Sequence, residues 1–436
     1  MDTFLRLILL QDANTRVVLL GAALLGMTSG VIGSFAVLRR RALLGDALAH
    51  AALPGICTAY FVVGDKSFTA FLIGALIFGT LGVLCVSFVR THTRIKEDAA
   101  IGIVLSSFFG LGIVLSRIIQ NQPAGNRAGL DTYIYGKAAL MVNQDVALIA
   151  LVAGVILIVV ALLFKEFSLL CFDRDFAAAQ GWPAMWLDIL LMALLCVCTV
   201  IGLPAVGVVL MAALLIIPAA AARFWTERLS LMVALAGLIG LLSGLIGTAA
   251  SAMAAHFAAG PPVVLAAAGF FMFSMLFAPR RGALADWWRR RKLRQRIAMQ
   301  NVLRALYEIG EAAGAFERPA SFDQILSSRA WTAPALTECL ERAVRAGLIR
   351  GRDDRYVLTD AGRREAMRVV RAHRLWEIFL VEQAAIAPDH VDRDADQIEH
   401  VLPPELLARL EERLRQEGRL PAPVPQSPHP VGEVAP

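Results

Sequence analysis

About nine apolar runs fill the first two thirds of the chain, at roughly 17–38, 47–64, 68–89, 99–118, 146–164, 186–203, 205–222, 229–250 and 257–278, or eight where the region around Pro204 is one broken element. Each is long enough to cross about 30 Å of hydrocarbon as a helix. Backbone amides find no water there, so a continuous apolar run has to satisfy its own hydrogen bonds, and the helix does this within one segment. Of 436 residues, 57% are hydrophobic and 18% charged, where a soluble domain carries about 25% charged residues. With a mean hydropathy of +0.62, the chain reads as an all-α polytopic membrane protein up to about Pro279. Beyond that point Arg, Glu and Asp return with the periodicity of soluble helices.

Basic clusters at Arg39–Arg41, Arg90–Lys96, Lys165–Arg174, Arg223–Arg228 and Arg280–Arg296 all face the cytoplasm in one threading, with the N-terminus outside and the C-terminus inside. The net charge of +6 is therefore a topogenic excess and no pointer to nucleic acid. The six cysteines contain no CxxC pair and are expected as buried free thiols. The N-terminus, MDTFLRLILLQDANTR, lacks the basic and small-residue signals of a cleaved leader. Between Asn121 and Gln144 lies the longest segment on the outer side, a candidate landing surface for an external partner.

Two ionisable residues inside the apolar series stand out. Asp46 and His50 are one helical turn apart, so carboxylate and imidazole can reach one ion. Charge in a span is costly and marks function by default. The donor set suits Mn²⁺, Fe²⁺ or Zn²⁺ and is too hard to single out copper. A bland alternative pairs Asp46 with Arg40 or Arg41 and leaves His50 as packing. The chain has no GxxxxGK[ST] loop, so the sequence implies no nucleotide bound by this chain and ATP hydrolysis, where needed, by a partner. A short cytoplasmic helix from Asp175 through Phe176, Ala177, Ala178 and Ala179 to Gln180, closed by Gly181, has the small residues that let another protein approach closely. It is the candidate contact with such an ATPase.

Past Pro279, residues 280–296 form a basic linker whose Trp287 and Trp288 suit contact with lipid at the inner leaflet. Three helices and a hairpin follow over 297–362: a first helix around Asn301–Gly310, then SFDQILSSR, TAPALTECLERAVRAG and GLIRGRDDRYVLTDAG. This is a winged helix-turn-helix pattern. Two further helices, Arg363–Glu382 and about Ala395–Gln416, occupy 363–418, and a proline-rich tail fills 419–436. His373 and Glu377 stand at i and i+4, and Asp392, Asp396, Glu399 and His400 on successive turns. Together they make a candidate oxygen and imidazole site.

The segments GSFAVLRRRALLGDALAHAALPGI, KEDAAIGIVLSSFFGLGIVLS and VGVVLMAALLIIPAAAARF resemble, in order, the permease subunits of the ABC-type manganese, zinc and iron importers. The resemblance covers residues 1–279. It implies an ATP-binding cassette subunit inside, an extracytoplasmic metal-binding protein outside, a second permease subunit, and location in the bacterial cytoplasmic membrane. It also implies that Asp46 and His50 contact the passing ion, so the chain is a transport subunit and not itself an enzyme.

LTDAGRREAMRVVRAHRLWEIFLVE and EHVLPPELLARLEERL resemble the iron- and manganese-dependent repressors. That resemblance implies a dimerisation-like helical part and metal ligands at His373, Glu377, Asp396, Glu399 and His400, with Asp392 at a further ligand position. In AMQNVLRALYEI the family's other ligands fall on Asn301 and Arg304, and an arginine binds no cation. Glu338 and Glu341 on the recognition helix repel phosphate, so a metal sensor or assembly module is favoured over a DNA reader. Two alternatives remain open at this level: a membrane-anchored, metal-responsive DNA-binding regulator, and a permease for a metal chelate.

Overall fold

The computed structural model describes residues 13–64, 67–121, 141–253, 260–329, 331–383 and 404–416. The chain divides into two units, Met1–Asp286 and Trp287–Pro436. In the first, apolar helices follow one another: α1 (Ala13–Leu38), α2 (Ala42–Val63), α3 (Phe68–His92), α4 (Glu97–Gln120) and α5 (Asn143–Leu162). Two short helices, α6 (Phe164–Phe172) and α7 (Arg174–Ala179), lead to α8 (Ala184–Val206), α9 (Val208–Arg223), α10 (Leu229–Met253) and α11 (Gly260–Phe277).

Eight of these helices are long and apolar enough to span a membrane among the described residues. The difference from about nine runs lies at α9. Its 16 residues rise about 24 Å, less than the hydrocarbon thickness. Gly207, at φ 88 and ψ 165, ends α8 and starts α9 in a conformation open to glycine. The prolines within apolar runs do not act as breaks: Pro54, Pro204 and Pro218 all lie inside helices.

Helix packing in this unit depends on small residues, as expected where lipid and side chain are equally apolar. A Cβ added to Gly240 would lie 2.0 Å from the Gly26 carbonyl oxygen, and one on Gly26 would lie 2.1 Å from that of Gly240. The backbones of α1 and α10 therefore touch. The same holds between α2 and α3, where a Cβ on Gly55 would lie 2.1 Å from the Gly74 oxygen. Gly55, next to Pro54 inside α2, sits at this tight helix crossing.

The second unit contains most of α12 (Ala283–Ala312), which runs unbroken from the basic stretch into the first helix expected of the soluble part. Then come β1 (Ala320–Ser321), α13 (Phe322–Ser327), α14 (Ala333–Arg345), β2 (Ile349–Arg352), β3 (Arg355–Leu358), α15 (Asp360–Gln383) and α16 (Pro404–Gln416). The strands form one antiparallel sheet in the order β1-β3-β2. Asp353 and Asp354, at φ 49 and 57, make the hairpin turn with both central residues left-handed, which short hairpins favour. Ser321 and Gln324 cap α13 reciprocally, each side chain bonding the other's backbone N–H. The core gathers Val302, Leu303, Ile325, Leu336, Leu340, Ile349 and Val370. This is the winged-helix arrangement read from the sequence, with β1 as a third strand.

Candidate metal site

Asp46 and His50 project from α2 at one turn's spacing, with His50 Nε2 3.5 Å from Asp46 Oδ1. The two side chains are 34% and 17% exposed. They form an open stripe with Leu43, which is 53% exposed, at spacings of three and four residues. The His50 ring meets Phe109 of α4 edge-on, centroids 4.7 Å apart, which limits how the imidazole can turn. Carboxylate and imidazole thus lie together on one face, in reach of a shared ion and short of a complete coordination shell.

Two of the neighbouring arginines, Arg39 and Arg41, are engaged away from Asp46. Arg41 Nη1 donates to Asp188 Oδ1 of α8 at 2.7 Å. Arg39 reaches the same oxygen at 3.2 Å, and Arg90, from α3, reaches Oδ2 at 3.7 Å. Among the described residues the Asp46 carboxylate has the His50 imidazole as its close polar neighbour, so its pairing with Arg40 or Arg41 is not the arrangement found. The basic cluster is only partly a surface feature: Arg40 is exposed, whereas Arg41 is 4% exposed. Arg39 also donates to the Leu170 carbonyl of α6 at 2.9 Å. Burial pushes its guanidinium pKa below the ordinary value, against the pull of Asp188. Sequence reading missed Asp188, although it is the sole charged residue of α8 and an acid in such a helix is itself a signal.

The short helix meant for a partner is α7, one residue earlier than expected. Asp173 caps it by accepting from the Phe176 amide at 2.9 Å, and Gly181, at φ 86, turns the chain after it. Ala177 is buried, anchoring α7 on the bundle. Phe172, Phe176, Trp182, Met185 and Trp186 are all exposed around it. Asp175 is the second residue of α7 and Gln180 its C-cap, with Ala178 and Ala179 closing the helix.

In the second unit, His373 is 1% exposed, and its Nδ1 lies 2.8 Å from Arg304 Nη1. Arg304 is itself 2% exposed, and its Nε donates to Glu308 Oε1 at 2.6 Å. Arg374 pairs with Glu311. Asn301 Oδ1 is buried without a hydrogen-bond partner among the described residues. Glu377 lies on α15 one turn after His373, its side chain outside the described residues. Asp392, Asp396, Glu399 and His400 also lie outside them, as do residues 122–140 of the outer segment and the tail. No group of three or more His, Cys, Asp or Glu is close enough to hold a metal among the described residues. On α14, Arg342 is tied to Glu338 at 2.6 Å and Arg345 to Glu341 at 3.9 Å, so a phosphate has to compete with carboxylates on the same helix.

The model of the ABC 3 transport family matches residues 11–278. The chain belongs to the ABC 3 transport family. Residues 359–421 match the iron dependent repressor, metal binding and dimerisation domain, so family membership is joined here to a second, repressor-like part. The manganese transport system membrane protein MntC of Bacillus subtilis (strain 168) is 40% identical over 94% of this chain and 94% of its own length. The zinc transport system membrane protein TroC of Treponema pallidum (strain Nichols) is 44% identical over 65% of this chain and 96% of its own. Among solved structures, PsaBC from Streptococcus pneumoniae in complex with Fab matches at 32% identity and a TM-score of 0.55. That match covers 63% of this chain and 95% of the other.

Proposed function

We propose that this chain is the permease subunit of an ATP-driven importer for a divalent transition metal, with Asp46 and His50 lining the ion's path. The observation that carries the reading is an acid and an imidazole 3.5 Å apart on the open face of an otherwise apolar helix. A membrane tether needs no such pair, and a bulky chelate needs no bare ligands. Similarity to proteins named for manganese and for zinc transport favours Mn²⁺ or Zn²⁺ as cargo, and the donor set also accepts Fe²⁺.

Two ligands per chain hold an ion weakly. The open stripe of Leu43, Asp46 and His50 fits apposition to a second permease subunit, which raises the count to four. Weak, shared coordination suits a site that must also let go. A separate ATP-binding cassette subunit docks around α7 and its exposed aromatic residues, and an extracytoplasmic metal-binding protein delivers the ion. Nucleotide-driven movement of α7 then opens the path to one side at a time. With α9 crossing as a ninth, short span, the N-terminus faces outward and the repressor-like unit the cytoplasm, with Trp287 and Trp288, both more than half exposed, at the inner leaflet. That unit acts as an assembly module on the cytoplasmic side.

Proteoliposomes carrying the chain with its ATPase and binding-protein partners test this reading. ATP-dependent entry of Mn²⁺ or Zn²⁺, each competing with the other, is expected. Entry of a metal chelate with no entry of the free ions would overturn it.

A further inference from the structure

We propose that Arg304 is a built-in cation, standing where the repressor-like fold would place a metal, and that His373 serves it as a hydrogen-bond acceptor and is not a metal ligand. A neutral imidazole has one ring nitrogen with a free lone pair, and a guanidinium has donors only. With Arg304 Nη1 2.8 Å from His373 Nδ1, the lone pair at Nδ1 is taken and the ring proton sits on Nε2. Neither nitrogen is left to coordinate an ion.

Burial sharpens the conflict. Arg304 and His373 are 2% and 1% exposed, so a divalent ion entering beside His373 has to share a dry pocket with a permanent positive charge. Like charges at such range in a low dielectric repel strongly. The guanidinium also already has the anionic partner a metal would want, since its Nε donates to Glu308 at 2.6 Å. One turn earlier on α12, the other position where the repressors carry a ligand holds Asn301, whose amide brings no compensating negative charge. The donors at this place therefore do not fit a metal. They fit a charge that cannot leave, joining α12 to α15 whether or not metal is plentiful, and Arg374 with Glu311 ties the same two helices a second time.

Hydrogen exchange read by mass spectrometry tests this on the full chain in detergent, with Asp46→Ala and His50→Ala introduced so that the transport pair is silent. Adding Mn²⁺ or Zn²⁺ is expected to leave exchange over 298–311 and 366–376 unchanged. Arg304→Met, which keeps length and removes charge, is expected to speed exchange there by about tenfold or more whether or not metal is added. Slowing by metal that His373→Ala abolishes would overturn the proposal, and so would an Arg304→Met protein with unaltered exchange. Slowing that survives His373→Ala places the ligands elsewhere and supports it. The comparison with and without metal needs no Arg304 variant, so it stands even where that variant fails to fold. Uptake is not read in this experiment, so metal import and the internal cation can fail independently.

Discussion

Replacing Asp188 by Asn keeps the shape of the side chain and one oxygen acceptor while removing the charge that three arginines share. Arg41, Arg39 and Arg90 approach its oxygens at 2.7, 3.2 and 3.7 Å. The Arg41 and Arg39 side chains are only 5% and 9% exposed, so water cannot take over. Breaking a buried ion pair by removing one partner costs roughly 3–5 kcal/mol, because the remaining charge stays desolvated. In a domain of this size that corresponds to a fall in Tm of roughly 5–15 °C. Thermal unfolding of the detergent-solubilised chain, followed by fluorescence-detected gel filtration, measures it. Combining Asp188→Asn with Arg41→Gln is expected to recover part of the loss, since one stranded charge is then gone. A Tm within 1–2 °C of the wild type, or a double variant worse than the sum of the singles, would refute the view that Asp188 neutralises this cluster.

Gly240→Leu is expected to drive α1 and α10 apart, because the first added carbon would already lie 2.0 Å from a backbone oxygen that cannot move alone. The cost should reach or exceed about 3 kcal/mol, visible as loss of the monodisperse peak in gel filtration. Ala177→Asp puts a carboxylate on the face of α7 that is 1% exposed, and should unseat the helix. Reconstituted with the partner ATPase, it should lose transport by about tenfold or more with expression retained. Burial pushes the Cys171 thiol up to about 12, leaving about one thiolate in ten thousand at pH 8. Iodoacetamide at that pH should label Cys171 only after SDS is added.

Eight spans were legible because their apolar runs are long enough to cross the hydrocarbon as helices, and the Asp46 and His50 pair because charge in such a run is rare. What escaped the sequence was contact across the fold. The shortness of α9 depends on the positive φ of Gly207, a conformation many glycines adopt and few need. The role of Asp188 needed three helices brought together, so its arginines read as a surface cluster when two of them are buried. β1 is two residues long, too short for alternation to register, and is recognisable only through its pairing with β3. Arg304 was visible as a misfit among expected ligands. Its bond to His373, 69 positions away in sequence, was not.

An ion path past Asp46 and His50 is open to direct measurement by radiotracer uptake of Mn²⁺ and Zn²⁺ in cells carrying the whole transporter. Wild type is to be compared with Asp46→Asn and His50→Gln at matched membrane levels. Each substitution is expected to cut uptake by about tenfold or more, as loss of an ion ligand should, while the chain keeps its Tm. Uptake at the wild-type rate in both variants would contradict it.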